Sequence, residues 1–337
     1  MRYTPAEKYE IIKLVEGSEI GAKKTLKELT VNRSTFYRWY ERYQLRGYEG
    51  LSSRSHSNRH FWNMIPSWER ERIVKIALGC PDKSPRELAW YITDNYGYYI
   101  SESSVYRILK ANNLITSPAF ILVKASDKFK NPTKVPNELW QTDFTYFKIV
   151  HWGWRYLATV LDDYSRYIIA WRLCTTMDAP EVKAVLDEAL FATGLDKVRV
   201  IPPKLLSDNG PCYVSEALKE YLTDEGIKHI RGRPYHPQTQ GKIERYHRSM
   251  KNIVNLDKYY WPQELEDQIR LFVAHYNNYR YHESLENLTP ADVYYGRAAE
   301  ILEKRRQIKL KTLTERRKAY FDNLRKRNYI DVIKTVS

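Results

Sequence analysis

Three acidic residues in the second half of the chain occupy positions where a carboxylate could do chemistry. Asp143 lies in the middle of a β-rich segment, close to the aromatic residues Trp140 and Phe144. A charge in a central strand is costly unless a divalent cation, or a buried arginine or lysine, compensates it. Asp208 follows a short apolar strand, where α/β sheets place their ligands, although the same Asp-Asn-Gly run is also a good turn. Each aspartate therefore has a catalytic and a structural interpretation.

The third carboxylate, Glu244, lies on an amphipathic helix predicted over 241–254. One face of this helix is apolar and carries Ile243, Tyr246, Met250 and Ile253. The opposite face is polar and carries Glu244, Arg248, Lys251 and Asn255. Glu244 thus faces solvent or substrate among side chains that neutralise phosphates, unless it only forms a surface pair with Arg248 worth about 0.2–0.5 kcal/mol.

The elements that position these carboxylates are predicted from residue 139 onward. The pattern predicts three strands over 139–150, 154–162 and 166–174, then helices and short strands over 178–193, 204–207, 215–225, 227–231 and 241–254. Further helices are expected over 262–280 and 290–296. Three antiparallel strands followed by alternating helix and strand are typical of an α/β domain that is similar to ribonuclease H.

Three helices are predicted before residue 50, over 6–16, 22–29 and 33–43, and the apolar positions of the first are Tyr9, Ile12 and Leu14 or Val15. In the third helix one stripe is aromatic and is expected to be buried: Phe36, Trp39, Tyr40 and Tyr43. The other side is polar and basic, and we expect DNA contacts from Arg33, Thr35, Arg38 and Arg42. A short helix, a tight turn and a helix with a basic outer face predict a helix-turn-helix module, with an ordinary three-helix bundle as the alternative.

A second set of helices is predicted over 67–78, 85–94 and 102–110, with Ser84 and Ser101 as N-caps. In the last of these, Val105, Ile108 and Leu109 are expected to face inward. The outward face predicts DNA contacts from Ser104, Arg107 and Lys110. The sequence thus favours a second helix-turn-helix module, so that two tandem modules would contact a longer DNA site than one.

The positive charge is concentrated outside the predicted α/β domain. The whole chain of 337 residues has a formal net charge of +14. Residues 139–300 carry 20 basic and 22 acidic side chains, whereas the predicted helical tail, 301–337, carries 12 basic and 4 acidic ones. The segments 51–66 and 116–138 are basic linkers, and Arg54 and Arg59 of the first are expected to follow a phosphate backbone. Basic arms around a slightly acidic middle favour a polyanionic partner, although a generic basic protein would have the same net charge.

Cysteine usage and hydropathy exclude several classes of protein. The three cysteines, Cys80, Cys174 and Cys212, form no C-x-x-C pair, so neither a disulfide framework nor a cysteine zinc site is indicated. The N-terminus lacks the apolar run of a signal peptide, and the most apolar stretch, 156–171, is interrupted by three charged residues. We therefore expect a cytoplasmic protein without a membrane span.

Four motifs together resemble the DDE transposases of bacterial insertion sequences and the catalytic core of retroviral integrases. They are Trp-Gln-Thr-Asp at 140–143, Leu-Asp-Asp-Tyr-Ser-Arg at 161–166, Leu-Ser-Asp-Asn-Gly at 206–210, and the long run from Tyr235 to Arg245. Thr289-Pro290-Ala291 is a further feature of the family, and 35 residues separate Asp208 from Glu244. No His-His-Cys-Cys zinc module precedes the core, which indicates the insertion-sequence branch.

The resemblance implies a metal-dependent transposase that cleaves the ends of its element and joins the freed 3′-hydroxyl to target DNA. Asp143, Asp208 and Glu244 would hold two Mg²⁺ ions, for which Mn²⁺ could substitute. His236, Lys242, Arg245, Arg248 and Lys251 are expected to contact DNA near these metals, although His236 could instead cap a loop and the others could be solvated charges. The resemblance also implies a homo-oligomer on double-stranded DNA, associated with the bacterial nucleoid.

These patterns predict a multidomain chain: helix-turn-helix modules over 1–50 and 67–115, a ribonuclease H-like core over 139–300 and a basic helical tail over 301–337. Two other functions use the same residues. A plain metal-dependent nuclease would cut DNA without joining it, and a DNA-binding regulator would carry a degenerate catalytic domain. The intact set of three carboxylates argues against the regulator.

Overall fold

A computed structural model of the protein describes residues 3–52, 61–115, 133–195, 202–232 and 241–336, with side chains as far as 325. The chain folds as two compact units. The first contains residues 1–82, 102–117 and 311–337, and the second contains residues 83–101 and 118–310. Each unit is described by itself.

The first unit begins with the three predicted helices: α1 (Pro5–Glu16), α2 (Ala22–Glu28) and α3 (Arg33–Arg46). Helix α1 starts with a capping box, in which Thr4 accepts from the Glu7 amide while the Glu7 carboxylate accepts from the Thr4 amide. The shared core of these helices is apolar and consists of Ile12, Leu26, Val31, Phe36, Trp39 and Leu51.

The structure decides between two predicted core positions and moves one boundary. Of Leu14 and Val15, the alternatives for an apolar position of α1, Val15 packs on the core while Leu14 is 56 % exposed. Leu51, assigned to the first linker, is buried at the end of a 3₁₀ turn, Gly47–Leu51. Its carbonyl accepts a hydrogen bond of 2.7 Å from the Lys8 ammonium, so the packed part of the module extends past residue 50.

Helices α4 (Ser67–Gly79) and α6 (Glu102–Ala111) pack against each other in the same unit. The inward face of α6 is the predicted one, since Val105, Ile108 and Leu109 are all buried. Between them in sequence lies α5 (Pro85–Tyr96), which belongs to the second unit and starts with the predicted Ser84 cap.

The second unit is built around a five-stranded sheet with the order β3-β2-β1-β4-β5. Strands β1 (Leu139–Ile149), β2 (Gly153–Asp162) and β3 (Ile168–Cys174) are antiparallel neighbours. Strands β4 (Lys204–Ser207) and β5 (Lys228–Arg231) extend the sheet on the other side of β1, and both run parallel to it. This is the mixed sheet predicted for a ribonuclease H-like core.

Helices cover both faces of this sheet. On one face α7 (Ala179–Thr193), α8 (Pro211–Val214) and α9 (Glu216–Asp224) bury an apolar core with Trp140, Ala158 and Val160 of the strands. On the other face α10 (Gly241–Val254) and α11 (Pro262–Asn278) pack on Phe147 and Leu157. Each of these helices except the short α8 was predicted from the sequence.

The chain continues through α12 (Pro290–Tyr294) into α13 (Ala298–Val336), which begins three residues before the predicted tail. The first turns of α13 are fixed inside the second unit. The Arg305 guanidinium, only 5 % exposed, donates to both carboxylate oxygens of Asp94 at 2.8 and 2.7 Å and lies over the Trp90 ring. This arginine of the basic tail therefore has a structural partner on α5.

No helix in the described part of the chain is long and apolar enough to cross a bilayer.

The contact of the 3₁₀ turn with α3 gives a test of the first module. A β-carbon at Gly50 would overlap the backbone oxygen of Arg42, whereas a β-carbon at Gly79, the last residue of α4, would meet no atom within 4 Å. We expect Gly50→Ala to cost about 1–3 kcal/mol through overpacking and to speed hydrogen exchange of the α3 amides. Gly79→Ala is the matched control and should leave α3 unchanged; equal exchange in both variants would contradict the packing described.

Candidate active site

Asp143 and Asp208 occupy corresponding positions on neighbouring parallel strands. The paired residues of β1 and β4 end at Gln141 opposite Leu206; Asp143 lies two residues further along β1, and Asp208, two residues after Leu206, directly follows the end of β4 at Ser207. Side chains alternate along a strand, so both carboxylates lie on the same face of the sheet as the Gln141 side chain. Adjacent strands are about 4.8 Å apart, and the pairing thus brings two acids that are distant in sequence to one place.

The charges of both carboxylates affect the pKa values of two buried side chains, Cys212 and Tyr213. Burial raises the pKa of the Cys212 thiol to about 11, and the negative charges of Asp208 and Asp143 add to this. Burial also raises the pKa of the Tyr213 hydroxyl, again with contributions from both aspartates. Both of these buried side chains therefore stay uncharged near the two acids.

Asp143 is half-buried, with its side chain 22 % exposed, and it contacts a histidine. One carboxylate oxygen accepts a 2.8 Å hydrogen bond from the Phe144 amide, and the other lies 3.4 Å from Nδ1 of His247. The Nε2 atom of His247 lies 3.4 Å from the hydroxyl of Thr159, the residue opposite Asp143 on β2. His247 of α10 therefore lies beside Asp143 at this end of the site.

Sequence reasoning missed His247, although the signal was present. The buried face of α10 consists of Ile243, Tyr246, His247, Met250 and Val254. Position 247 follows Ile243 by four residues and precedes Met250 by three, so a single stripe includes it. Ile253, which the sequence analysis placed on that face, is 53 % exposed, because Val254 continues the stripe instead.

Asp208 is exposed at the end of β4 and is held by its own turn. Its carboxylate accepts a 2.9 Å hydrogen bond from the amide of Gly210, while the Asn209 side chain donates to the carbonyl of Gly232. Glu244 is exposed on the first turn of α10, three residues before His247, and positions three apart are neighbours on a helix surface. Glu244 therefore lies on the same helical turn as the histidine that contacts Asp143.

In the described residues, no three His, Cys, Asp or Glu side chains are close enough together to hold one metal ion. Strand pairing brings Asp143 and Asp208 to neighbouring positions, and Glu244 lies on the adjacent helix. Within the same residues, neither Asp208 nor Glu244 forms an ion pair with a lysine or arginine. Carboxylate oxygens are the donors that Mg²⁺ prefers, so the chemistry of these three residues fits a hard divalent cation, whereas their side chains do not converge on one point in the structure.

A buried polar network fixes the start of α10 against the sheet. The Gln141 side chain donates to Asp163 at 2.7 Å, and its oxygen accepts from the backbone amide of Ile243 at 3.2 Å. The Lys242 ammonium lies 2.7 Å from the other Asp163 oxygen and donates to the Asp163 carbonyl at 2.8 Å. Through these bonds, Asp163 and Gln141 fix the first turn of α10, which carries Glu244.

This network gives Lys242 a different role from the DNA contact that was predicted for it. Its side chain is 10 % exposed, and burial lowers the pKa of its ammonium while the charge of Asp163 opposes that shift. An ammonium enclosed in this way already has an anionic partner inside the fold. We therefore correct the expected DNA contact of Lys242 to a structural role.

The other predicted DNA contacts lie at the surface to different degrees. Arg33, Arg38, Arg42, Arg107 and Arg248 are exposed, and Thr35, Ser104, Lys110, Arg245 and Lys251 are half-buried. Lys110 lies 3.7 Å from Glu7, and Lys251 lies over the Tyr146 ring at 4.0 Å. Arg54, Arg59 and His236 lie outside the described residues.

Sequence families match both halves of this architecture. Residues 134–237 match an integrase core domain, and residues 225–290 match a second integrase core domain model. Residues 2–52 and 35–109 match homeodomain-like domains. The chain therefore contains homeodomain-like helix-turn-helix domains followed by an integrase core domain of the ribonuclease H-like fold.

Curated relatives match less than half of the chain. The Gag-Pro-Pol polyprotein of mouse mammary tumor virus is 32 % identical over 147 residues, which are 42 % of this chain and 8 % of the polyprotein. The Gag-Pol polyprotein of woolly monkey sarcoma virus is 33 % identical over 119 residues, which are 35 % of this chain and 7 % of the polyprotein. The chain thus spans less than a tenth of the length of these polyproteins.

The solved structures that match part of the chain include integrase cores. The HTLV-2 integrase catalytic core domain in complex with magnesium is 23 % identical, with 48 % of this chain and 97 % of that one covered and a TM-score of 0.38. The catalytic core domain of BIV integrase is also 23 % identical, with 49 % and 97 % covered and a TM-score of 0.36.

Replacing Lys242 tests the network that fixes α10. Lys242→Ala leaves the buried Asp163 carboxylate without its cation, and loss of one partner of a buried pair costs about 3–5 kcal/mol. We expect a lower free energy of unfolding, measured with denaturant on the full chain, and faster hydrogen exchange at the start of α10. The control is Lys219→Ala, which removes an exposed pair with Glu216 of similar length, 2.8 Å, and should cost no more than about 1 kcal/mol. Similar losses in both variants would show that the pair does not fix the helix.

Proposed function

We propose that the protein is a DNA transposase, which binds the ends of an insertion sequence, cleaves them and transfers the freed 3′-hydroxyl strand to target DNA. The observation that carries this proposal is the register of β1 and β4, which sets Asp143 beside Asp208 in an integrase core domain. The helix-turn-helix domains at the N-terminus supply the means of binding specific DNA.

Asp143, Asp208 and Glu244 are the proposed metal ligands. Together these three carboxylates would hold two Mg²⁺ ions, and Mn²⁺ would be able to replace Mg²⁺. When bound, such a pair of ions activates the attacking oxygen and stabilises the leaving oxygen of a phosphodiester. The chain itself then has to position the carboxylates and the DNA, and no serine or cysteine nucleophile is needed.

The proposed order of events has two transfers at the same carboxylates. Water first attacks the phosphodiester at the end of the element, which frees a 3′-hydroxyl. That hydroxyl then attacks a phosphodiester of the target, so one bond is broken for each bond that is formed and no external energy source is required. Joining distinguishes this activity from that of a plain nuclease, which stops after the first transfer.

DNA would be held by residues of three regions. In the helix-turn-helix domains the proposed contacts are Arg33, Thr35, Arg38, Arg42, Ser104, Arg107 and Lys110, and in the linker Arg54 and Arg59. Around the carboxylates they are His236, Arg245, Arg248 and Lys251. We retain the division into modules at 1–50 and 67–115, a core at 139–300 and a tail at 301–337 as a working proposal. Pairing two ends requires two active sites, which supports a homo-oligomer on DNA in the bacterial nucleoid.

Replacing Asp143 tests the proposed chemistry. Asp143→Asn keeps the shape of the side chain but removes its charge. We expect cleavage and joining of oligonucleotides that carry the element's ends to fall by at least about 100-fold. Replacing a residue that only orients a metal ligand costs at most about this much activity, and a ligand itself should cost more. End binding by the helix-turn-helix domains should persist in a mobility-shift assay. Asp257→Asn, at an exposed position on the loop after α10, is the control with normal activity.

The same assay separates the competing functions. Products that are cut but never joined, with wild-type protein and Mg²⁺, would indicate a nuclease. End binding with no cleavage in any divalent cation would indicate a regulator. Undiminished joining by Asp143→Asn would contradict the assignment of the carboxylates.

A further inference from the structure

Two exposed aromatic rings and two lysines form a continuous row, of which the proposed function uses only Lys251. We call Lys251, Tyr146, Trp154 and Lys148, in that spatial order, the aromatic–cation row. The Lys251 ammonium lies 4.0 Å from the centre of the Tyr146 ring, and the Tyr146 and Trp154 rings are 5.4 Å apart. The Lys148 ammonium lies 5.8 Å from the centre of the Trp154 ring.

Strand pairing explains why these residues share one surface. Lys148 is directly opposite Trp154 in the β1–β2 pair, and Tyr146 is opposite Tyr156, two positions further along. Tyr146, Lys148 and Trp154 therefore project from the same face of the hairpin. Lys251 contacts the Tyr146 ring from α10, the helix on the other face of the sheet that carries Glu244. It lies seven residues and roughly 10 Å along the helix axis from that carboxylate.

The rings of the row are open to solvent. Tyr146 is 54 % exposed and Trp154 is 49 % exposed. Large aromatic side chains normally bury most of their surface, because this supplies a major part of the energy of a core. About half of the surface of these two rings is instead exposed to solvent. They lie beside the part of β1 that has no β4 partner, since within the described residues β1 pairs with β4 only as far as Gln141.

The charges of the row select the class of partner. Among the described residues neither lysine of the row forms an ion pair with a carboxylate, so both ammonium groups can take an anionic ligand. Alternating cations and rings suit a strand whose phosphates and flat bases alternate in the same way. A protein partner would instead be expected to bury an apolar centre surrounded by polar groups.

We propose that the aromatic–cation row binds a DNA strand with unpaired bases. One base stacks on Tyr146 and another on Trp154, while Lys148 and Lys251 contact the adjacent phosphates. The bases of an intact duplex are already stacked on one another and offer no free faces, so the row favours a single strand. This inference rests on the proposed function, because it assigns the row to DNA strands that lead to Glu244 on α10.

Binding of the full-length protein to a 15-nucleotide oligothymidylate tests the row. Anisotropy of a labelled strand is measured in EDTA, so that no cleavage contributes. We expect Tyr146→Ala and Trp154→Ala each to weaken binding by roughly 5- to 150-fold, which corresponds to about 1–3 kcal/mol for each stacked base. Tyr146→Phe and Trp154→Phe keep a ring and should bind like the wild type. The control, Tyr279→Ala, removes a ring that is 64 % exposed elsewhere in the same unit.

A strand without bases separates stacking from charge. An abasic 15-mer has the same phosphates but no base for either ring, so the wild type should bind it more weakly than Trp154→Ala binds oligothymidylate. Equal binding of the abasic and normal strands, or alanine variants that match Tyr279→Ala, would overturn the proposal. Equal losses for a 15-base-pair duplex would assign the row to double-stranded DNA and would also overturn it.

The results of this binding assay do not depend on the proposed phosphodiester transfer. The Asp143→Asn variant should keep its affinity for oligothymidylate in EDTA. If the joining assay fails while the alanine variants still lose single-strand affinity, the proposed function is wrong and the row remains. If joining succeeds and the variants bind normally, the row is wrong and the function remains.

Discussion

The position of α10 depends on one buried carboxylate. Asp163 accepts hydrogen bonds from Gln141 on β1 and from Thr133 before the sheet, and it forms an ion pair with Lys242 at the start of α10. A carboxylate that is only 5 % exposed requires partners for both oxygens, because an uncompensated buried charge costs several kcal/mol. The same bonds also hold the elements that supply these partners. Every element that supplies a partner is fixed in place, and among them is the helix that carries Glu244, His247 and Lys251.

The neighbouring Asp162 performs a similar role for the turn after β2. Burial raises the pKa of this carboxyl group, whereas hydrogen bonds from Ser165 and from the Asn137 amide oppose the shift. Two adjacent aspartates are thus used for structure, and the two aspartates of the proposed site remain free of lysine and arginine partners in the described residues. The distinction between structural and ligand-binding acids lies in these partners and not in residue type.

Much of this architecture was predictable because it follows local periodicity. The bounds of β4 and α10 were predicted to the residue, and the capping box at Ser84 marks the start of α5. The short α8 was missed because Asp-Asn-Gly-Pro reads as a turn, and a four-residue helix leaves no periodic signal. The start of α13 at Ala298 was placed too late by three residues.

The site was less predictable than the fold, because tertiary partners decide what a polar residue does. Lys242 looks like a phosphate contact from its position near Glu244, but its use is set by Asp163, which is 79 positions away in sequence. His247 looks like one more polar residue until the buried face of α10 is known to include it. The shared exposure of Tyr146 and Trp154 depends on strand register and on where β4 ends, neither of which a single sequence specifies.

The central claim is that Asp143, Asp208 and Glu244 hold divalent cations at one place. Fe²⁺ in place of Mg²⁺, with ascorbate and peroxide, cleaves a polypeptide close to the bound ion, and the fragments can be mapped by mass spectrometry. The account predicts cuts next to residues 143, 208 and 244 that Mg²⁺ suppresses by competition and that Asp143→Asn removes. Cleavage that avoids these three segments, or that Asp143→Asn leaves unchanged, would contradict it.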